Sequence, residues 1–280
     1  MKTPKIGISL EYNYNITDIE LVSVLSNIGF DAISPVWVND KRLPLLVEHA
    51  RSAGLIIQSL HAPYGRSADM WSEDKEKADA AINELSQALD DCKSLNIPML
   101  VCHAWIGFGY TQKVNTIGLD NFRIIVDKAK NLGISIAFEN TEGEEFLLAL
   151  LGHFNDYDNV GFCWDSGHEI CFNRSADLLA MVGNRLIMTH LNDNLGISDP
   201  NGKIYWTDDL HLLPYDGVSD WEYNVRRLKK CPELKIINFE LTTKSKPGRH
   251  ENDKYNEMSI EDYFSEVYKR AKRIAADYLE

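Results

Sequence analysis

No apolar run in the 280 residues approaches the ~18–20 needed to cross a bilayer, so a membrane span is not expected. The opening MKTPKIGISLEYNYN turns polar at Glu11, too early for the apolar core of a secretory leader. The closing ADYLE carries no prenylation box or retrieval signal. Cysteine is sparse: Cys92, Cys102, Cys163, Cys171 and Cys231 form an odd set with no CxxC. That argues against a disulfide framework or a thiolate zinc site and for a reducing, cytoplasmic location. The sequons at Asn15 and Asn173 are then chance matches. Neither GxGxxG nor GxxxxGK[ST] follows any predicted strand, which weakens a nucleotide-binding open sheet. Positive charge is also short, with 29 Lys and Arg against 42 Asp and Glu, a net charge of -13. Nucleic acid and anionic membranes are therefore not the expected partners, whereas a bound cation would relieve clustered carboxylates.

What the chain does have is 44% hydrophobic and 25% charged residues, enough for a folded core. Short apolar runs alternate with helix-like segments. Strands are predicted at 5–10, 31–34, 55–61, 98–103, 134–139, 159–165, 185–191 and 234–240. Helices are predicted at 17–29, capped by Thr17 and closed by Gly29, and at 43–54, 72–96, 114–132, 144–152, 175–183 and 221–230, with a terminal helix from Ser259. Ser72 reads as the cap of the long helix. Short, buried-type strands each followed by a helical or loop segment fit a single α/β domain spanning 1–280, a (β/α)8 TIM barrel. A long loop at 192–220 follows the seventh strand; loops of that length are usually functional or mobile.

In such a barrel the chemistry lies at the C-terminal strand ends. The last six predicted strands end at or beside His61, His103, Glu139, Asp165, His190 and Glu240, all metal-ligand types. His168 follows Asp165 by three residues, and Asp209-x-His211 sits in the long loop. Each has a bland reading: a strand-end histidine as a hydrogen-bonded core residue, Asp165 as a helix cap, Glu240 as a solvated acid. The set does not. Strand ends cover roughly a tenth of a barrel, so about one of eight histidines should fall there by chance. Three do, and two more lie in adjoining loops. Imidazoles and carboxylates from separate strands suit a divalent cation such as Zn, Mn, Co or Mg.

In order along the chain, HAPYG (61–65), FENTEG (138–143), GFCWDSGHE (161–169), HLNDN (190–194), DLHLLPYDGVSDW (209–221) and NFEL (238–241) resemble the xylose isomerase-like TIM barrel superfamily. Within it the sugar phosphate isomerase/epimerase branch is the most similar, and the type IV apurinic endonucleases are the nearest other branch. The resemblance implies a metal held by Glu139, Asp165, His190 and Glu240. It further implies Glu139 and Glu240 as acid and base on opposite faces of a substrate carbon, and His168 as a substrate-binding residue. One metal per chain is expected. The endonuclease branch would hold up to three: His61, His103 and Glu139 on the first; Glu139, Asp165, His190 and Glu240 on the second; His168, Asp209 and His211 on the third.

Two departures favour the isomerase branch. The first strand reads GISLEYN where an endonuclease reads GAHVS-like, and the second histidine strand continues HAWIGFG where HPGS-like is expected. Basic residues for phosphate contacts would come from Lys244, Lys246, Arg249 and Lys254, with Arg66, Lys113 and Arg174 elsewhere on the rim. The expected function is a metal-dependent isomerase or epimerase of a sugar, polyol or related polyhydroxy carbonyl compound, working by proton abstraction and enediolate stabilisation. The alternatives are a dehydratase of the same superfamily and a three-zinc phosphodiesterase. Besides His168, His61 and Trp105 are candidate substrate contacts, and Trp37 and Trp206 are further candidates to line the pocket. The loop Trp and Tyr residues leave room for a homodimer.

Overall fold

The computed structural model describes residues 3–10, 14, 16–40 and 42–279. Asn15 and the Glu11–Asn13 part of GISLEYN lie outside the described residues. Eight parallel strands run in chain order: β1 (Lys5–Leu10), β2 (Ala32–Pro35), β3 in two pieces (Ile56–Ile57 and Leu60–His61), β4 (Met99–His103), β5 (Ser135–Glu139), β6 (Val160–Asp165), β7 (Leu186–His190) and β8 (Ile236–Phe239). They form two curled sheets. One has the order β3-β2-β1-β8, with the first piece of β3 at its edge; the other runs from the second piece of β3 through β4, β5 and β6 to β7. Two single parallel bridges, Val36 to His61 and Leu191 to Phe239, join the sheets and close a (β/α)8 barrel.

Local chemistry accounts for the helices. Helix α1 (Asp18–Ile28) starts on a reciprocal capping box between Thr17 and Glu20 and ends at Gly29, whose φ of 113° is open to glycine. Helix α2 spans Arg42–Ser52. In α3 (Lys75–Ser94) the cap is Asp74, not Ser72, because Ser67–Trp71 first forms a 3-10 turn and the Ser72 hydroxyl instead accepts from the Asp74 N–H. Asn115 caps α4 (Thr116–Leu132), and α5 spans Glu144–His153. Between β6 and β7 lie two short helices, α6 (Ser166–Cys171) and α7 (Leu178–Val182); the sequence pattern shows only the second. Helix α8 (Trp221–Leu228) is capped by Asp220; α9 (Asp253–Asn256) is one turn, and α10 (Ile260–Asp277) starts on Ser259.

The core lies in the shell between strands and helices, with Trp71, Trp164, Phe122, Phe138, Phe146, Phe162 and Tyr263 fully buried. Inside the barrel a separate small layer is formed by Val101, Ala137, Cys163 and Met188. Side chains alternate along a strand, so two residues further on each strand points inward again. Those residues are His103, Glu139, Asp165 and His190. Parallel register sets His103 beside Glu139 and Asp165 beside His190. The packed interior of the barrel is thus the floor on which the ligand-type residues stand.

The long loop is ordered by its own buried acids. The Asp193 carboxylate accepts from the backbone of Asn194, Tyr215 and Ser219 and from the Trp221 indole at 2.9–3.0 Å. Asp208 accepts from Ser198 and Tyr205. All five cysteines are free thiols. Among the described residues no helix is long and apolar enough to cross a membrane.

Candidate metal centre at the C-terminal strand ends

All nine ligand-type residues singled out in the sequence converge on one cavity region. Five groups have ligand atoms within 4.8 Å of one another, and three of them between them contain all nine: His61, His103 and Glu139; Glu139, Asp165, His190 and Glu240; His168, Asp209 and His211. Glu139 belongs to two of these three. Its Oε2 lies 3.2 Å from His61 Nε2 and 3.5 Å from His103 Nε2, and its Oε1 lies 3.0 Å from His190 Nδ1. His190 Nδ1 is also 2.9 Å from Glu240 Oε2. Asp209 Oδ2 is 2.8 Å from His211 Nε2, and its Oδ1 is 3.5 Å from His168 Nε2.

The side chains are fixed from behind. Asp165 is a helix cap as well as a ligand candidate: its Oδ1 accepts from the His168 N–H at 2.6 Å, while Asn192 Nδ2 donates to Oδ2 at 2.8 Å. Asn140 clamps the Asp165 backbone on both sides, accepting its N–H at 2.7 Å and donating to its carbonyl at 2.8 Å. His61, His168 and His211 each place Nδ1 against a backbone carbonyl, of Ala62, Asn140 and Glu240, at 2.8, 2.9 and 3.2 Å. In the neutral imidazole this arrangement puts the proton on Nδ1 and the lone pair on Nε2, as metal-ligating histidines require. Gly167 makes room for it: a Cβ there would lie 1.8 Å from Asn192 Oδ1. His211 takes a positive φ of 45°, a strained conformation for a non-glycine residue.

A divalent cation fits this donor set. His190 Nδ1 and Glu139 Oε1 are buried and close together, yet neither has a hydrogen-bond partner; the same holds for Asp209 Oδ1. Such orphaned atoms are costly unless they share a cation. The electrostatics agree. Burial opposes charge on every group; opposite charges override it at most of them but not at His103 or Asp165. Glu139 is held well below the usual glutamate range by the charge of His190, with the His103 and His61 imidazoles beside it adding to the effect. His190 brings Glu240 down to about 2. Cys163, Glu139 and Glu240 drive His190 well above the histidine range; since burial keeps the Cys163 thiol protonated, up at about 12, the two carboxylates carry that effect at neutral pH. Asp209 raises His211 to about 9. Burial takes Asp165 the other way, up to about 6, with Glu139 adding to the push and His168 opposing it. The cluster stabilises positive charge, as a proton on imidazole or as a cation.

The cavity above the cluster measures about 270 Å³ and is lined also by Tyr64, Ile106, Phe108, Phe172, Trp206 and Lys246. Trp206 meets the expectation of a wall residue. Trp105 and Trp37 do not. Trp105 is stacked on Phe146 at 4.3 Å with its Nε1 donating to Gly107, so it braces the loop behind the wall. Trp37 is buried with its Nε1 on Asp91 Oδ2 at 2.8 Å. Asn173 is buried and donates to the Thr141 carbonyl, a structural role for that sequon. Sequence reasoning missed Asn140 and Asn192; their position directly after strand-end ligands was the available signal. It also missed Phe172, whose ring stacks on His168 at 4.9 Å. The basic residues offered for phosphate contacts are largely engaged: Lys246 with Asp209, Arg249 with Glu251 and Asp208, Lys254 with Asp216.

A parallel barrel with a polar, cation-attracting cluster at its C-terminal rim defines a class, and comparison supplies the family. Residues 22–274 match the family model described as xylose isomerase-like TIM barrel, and the chain belongs to that family. It is similar to the IolI protein solved with a zinc atom, with a TM-score of 0.76 and 19% identity over 98% of this chain and 99% of that one. It is also similar to D-psicose 3-epimerase solved in the presence of D-fructose, with a TM-score of 0.72 and 16% identity over 97% of this chain and 99% of that one. A curated relative, the uncharacterized protein y4fM of Sinorhizobium fredii (strain NBRC 101917 / NGR234), is 29% identical over 173 residues, 58% of this chain. The match spans about half the length of that relative, 52%.

Proposed function

We propose that the protein is a metal-dependent isomerase or epimerase of a sugar, polyol or related polyhydroxy carbonyl compound. The observation that carries this reading is the pair Glu139 and Glu240, placed on separate strands around one His190 nitrogen and open to the same small cavity. A divalent cation held by Glu139, Asp165, His190 and Glu240 would supply Lewis-acid stabilisation for the charge that develops on adjacent substrate oxygens when a proton leaves carbon. The chain's own residues do the rest. Glu240 and Glu139 remove and return the proton at the substrate carbon from opposite sides. His168, its Nδ1–H held by the Asn140 carbonyl, presents Nε2 to a substrate hydroxyl. Phe108, Phe172 and Trp206 wall the cavity against water. The likeness in fold to a zinc-containing protein and to a psicose epimerase supports the class of reaction and of substrate.

The test is solvent exchange. Holoenzyme incubated in D2O with a panel of ketohexoses, aldoses and cyclic polyol ketones should place deuterium at one substrate carbon, read by NMR. Loss of exchange on chelation and its return with Mn, Co, Zn or Mg would support the reading; no exchange with any member of the panel would count against it.

The convergence of all nine residues favours a second reading, a three-zinc phosphodiesterase acting at abasic DNA sites. Against it stand the small cavity, the engaged basic residues and the carboxylates of Glu142, Glu144 and Glu145 at the rim, which repel a phosphate backbone. Three zincs per chain by elemental mass spectrometry, together with nicking of an abasic duplex, would establish it in place of the first.

A further inference from the structure

Beside the cavity over the metal-ligand cluster lies a second, larger chamber of about 660 Å³. The two share Phe108, Glu142, Phe172 and Trp206 as a common wall. The inner cavity, about 270 Å³, falls just below the span of ~300–1,000 Å³ usual for a ligand pocket, whereas the outer one lies well inside it. The inner cavity has room for one small ring, and the outer chamber for another.

The outer chamber is built and not merely open. Large aromatic side chains are left unusually bare there: Phe108 is 39%, Tyr205 36% and Trp206 54% exposed. Each is nonetheless held. Phe108 sits edge-on to Phe172 at 5.4 Å, and Phe172 in turn stacks on His168. The Tyr205 N–H donates to the buried Asp208 at 3.0 Å, with Lys203 over its ring. Lys246 lies over Trp206 at 5.6 Å. The backbone under Phe108 is fixed by the Glu142 carboxylate, which accepts from the Gly107 N–H at 2.5 Å. The polar groups around these rings carry both signs, Glu142, Glu144 and Glu145 against Arg174 and Lys203. That balance excludes a site for a strongly anionic group. Flat rings beside interspersed hydroxyl acceptors and donors suit a neutral, hydroxyl-rich ring with an apolar C–H face.

Resting on the isomerase/epimerase reading, we propose that the substrate is a glycoside of two sugar rings. The ring that reacts occupies the inner cavity, and a second, neutral sugar ring stacks in the outer chamber on Tyr205, Trp206 and Phe108.

The experiment is calorimetric titration of the metal-loaded protein with glucose and fructose, with the disaccharides cellobiose, maltose, trehalose and sucrose, and with p-nitrophenyl glucoside. At least one disaccharide should bind about tenfold or more tighter than its constituent monosaccharides, about 1.4 kcal/mol. Tyr205→Ala alters the outer chamber and not the inner, and should reduce that preference to about threefold or less with monosaccharide affinity unchanged. Arg174→Ala serves as a second outer-chamber variant should Tyr205→Ala loosen the loop, which metal content and melting temperature would reveal. Monosaccharides binding as tightly as every disaccharide would overturn the second ring while leaving the isomerase/epimerase reading intact. Preference for the aryl glycoside alone would replace the second sugar with an aromatic group. Binding of no carbohydrate of either size would remove both the inference and the reading beneath it.

Discussion

At the scale of single residues, Gly167 and Asn192 show how a candidate ligand is held in place. A methyl group on Gly167 would collide with the amide that steadies Asp165. Gly167→Ala should therefore lower metal affinity about 10–100-fold, the usual effect of disturbing the groups that orient a ligand. Competition with a chelating dye measures it, and unchanged affinity would show that Asn192 does not steer Asp165. Glu240→Gln should slow deuterium exchange into substrate by about 10²–10⁴-fold, as loss of a general acid or base does; exchange at the native rate would remove Glu240 from the proton path. The ligand-type residues could be read from the sequence because strand ends and two-residue alternation fix where they point. Asn140 and Asn192 could not, because an asparagine after a strand reads equally well as a turn. Trp105 and Trp37 stand behind the cavity wall; composition does not say which face of a loop an indole takes.

At the scale of elements, strand and helix order was legible from apolar periodicity, and the deviations have local causes. Asp74 outcompetes Ser72 as a cap because a 3-10 turn delays the start of α3. Helix α6 was hidden because its six residues SGHEIC are too short to show a helical repeat. Within the HLNDN motif, Asp193 is the staple of the long loop. Asp193→Ala would orphan three backbone N–H groups and an indole, at a cost of about 1–3 kcal/mol for each group left buried and unpaired. The urea midpoint should fall and limited proteolysis should cut within 195–218; a variant as protease-resistant as the parent would refute the staple. Helix α8 is fastened through Arg227, which reaches Glu169 and Asp177 at 2.7 and 2.8 Å and lies over Trp164. Arg227→Met leaves the Glu169 carboxylate buried without its cation, and should destabilise by about 3–5 kcal/mol in denaturant melts.

At the scale of the whole molecule, binding of a cation at the cluster would be linked to folding. A cation at about 100 times its Kd adds about 2.7 kcal/mol. For a chain of this size, at about 2–4 °C per kcal/mol, chelation should lower Tm by about 5–11 °C; a melting point indifferent to chelator would mean that the cluster holds no metal. A second linkage runs through Asp216, which ties the long loop to α10 by an ion pair with Arg270 at 2.8 Å and to α9 by one with Lys254 at 3.2 Å. Burial would raise its carboxyl, but hydrogen bonds from Tyr255 and Arg270 outweigh that and hold it below the usual aspartate range. Its contribution is therefore complete above the unfolded value and is lost as pH falls through the lowered folded one. Asp216→Asn should cost on the order of 1 kcal/mol at neutral pH. Its deficit against the parent should shrink below about pH 4, as urea melts across pH would show.

The barrel is closed by single bridges, and one of them, Leu191 to Phe239, runs directly beneath the cluster. Asp165 and His190 stand on one side of that join and Glu240 on the other. A cation gripped by all three would thus also be a clasp between two half-barrels, holding shut a place where the wall has a single bridge. Its removal should loosen that join ahead of the rest. The first amides to lose protection in hydrogen exchange would be those of Leu191, bonded to the Asn238 carbonyl, and Glu240, bonded to the Leu191 carbonyl.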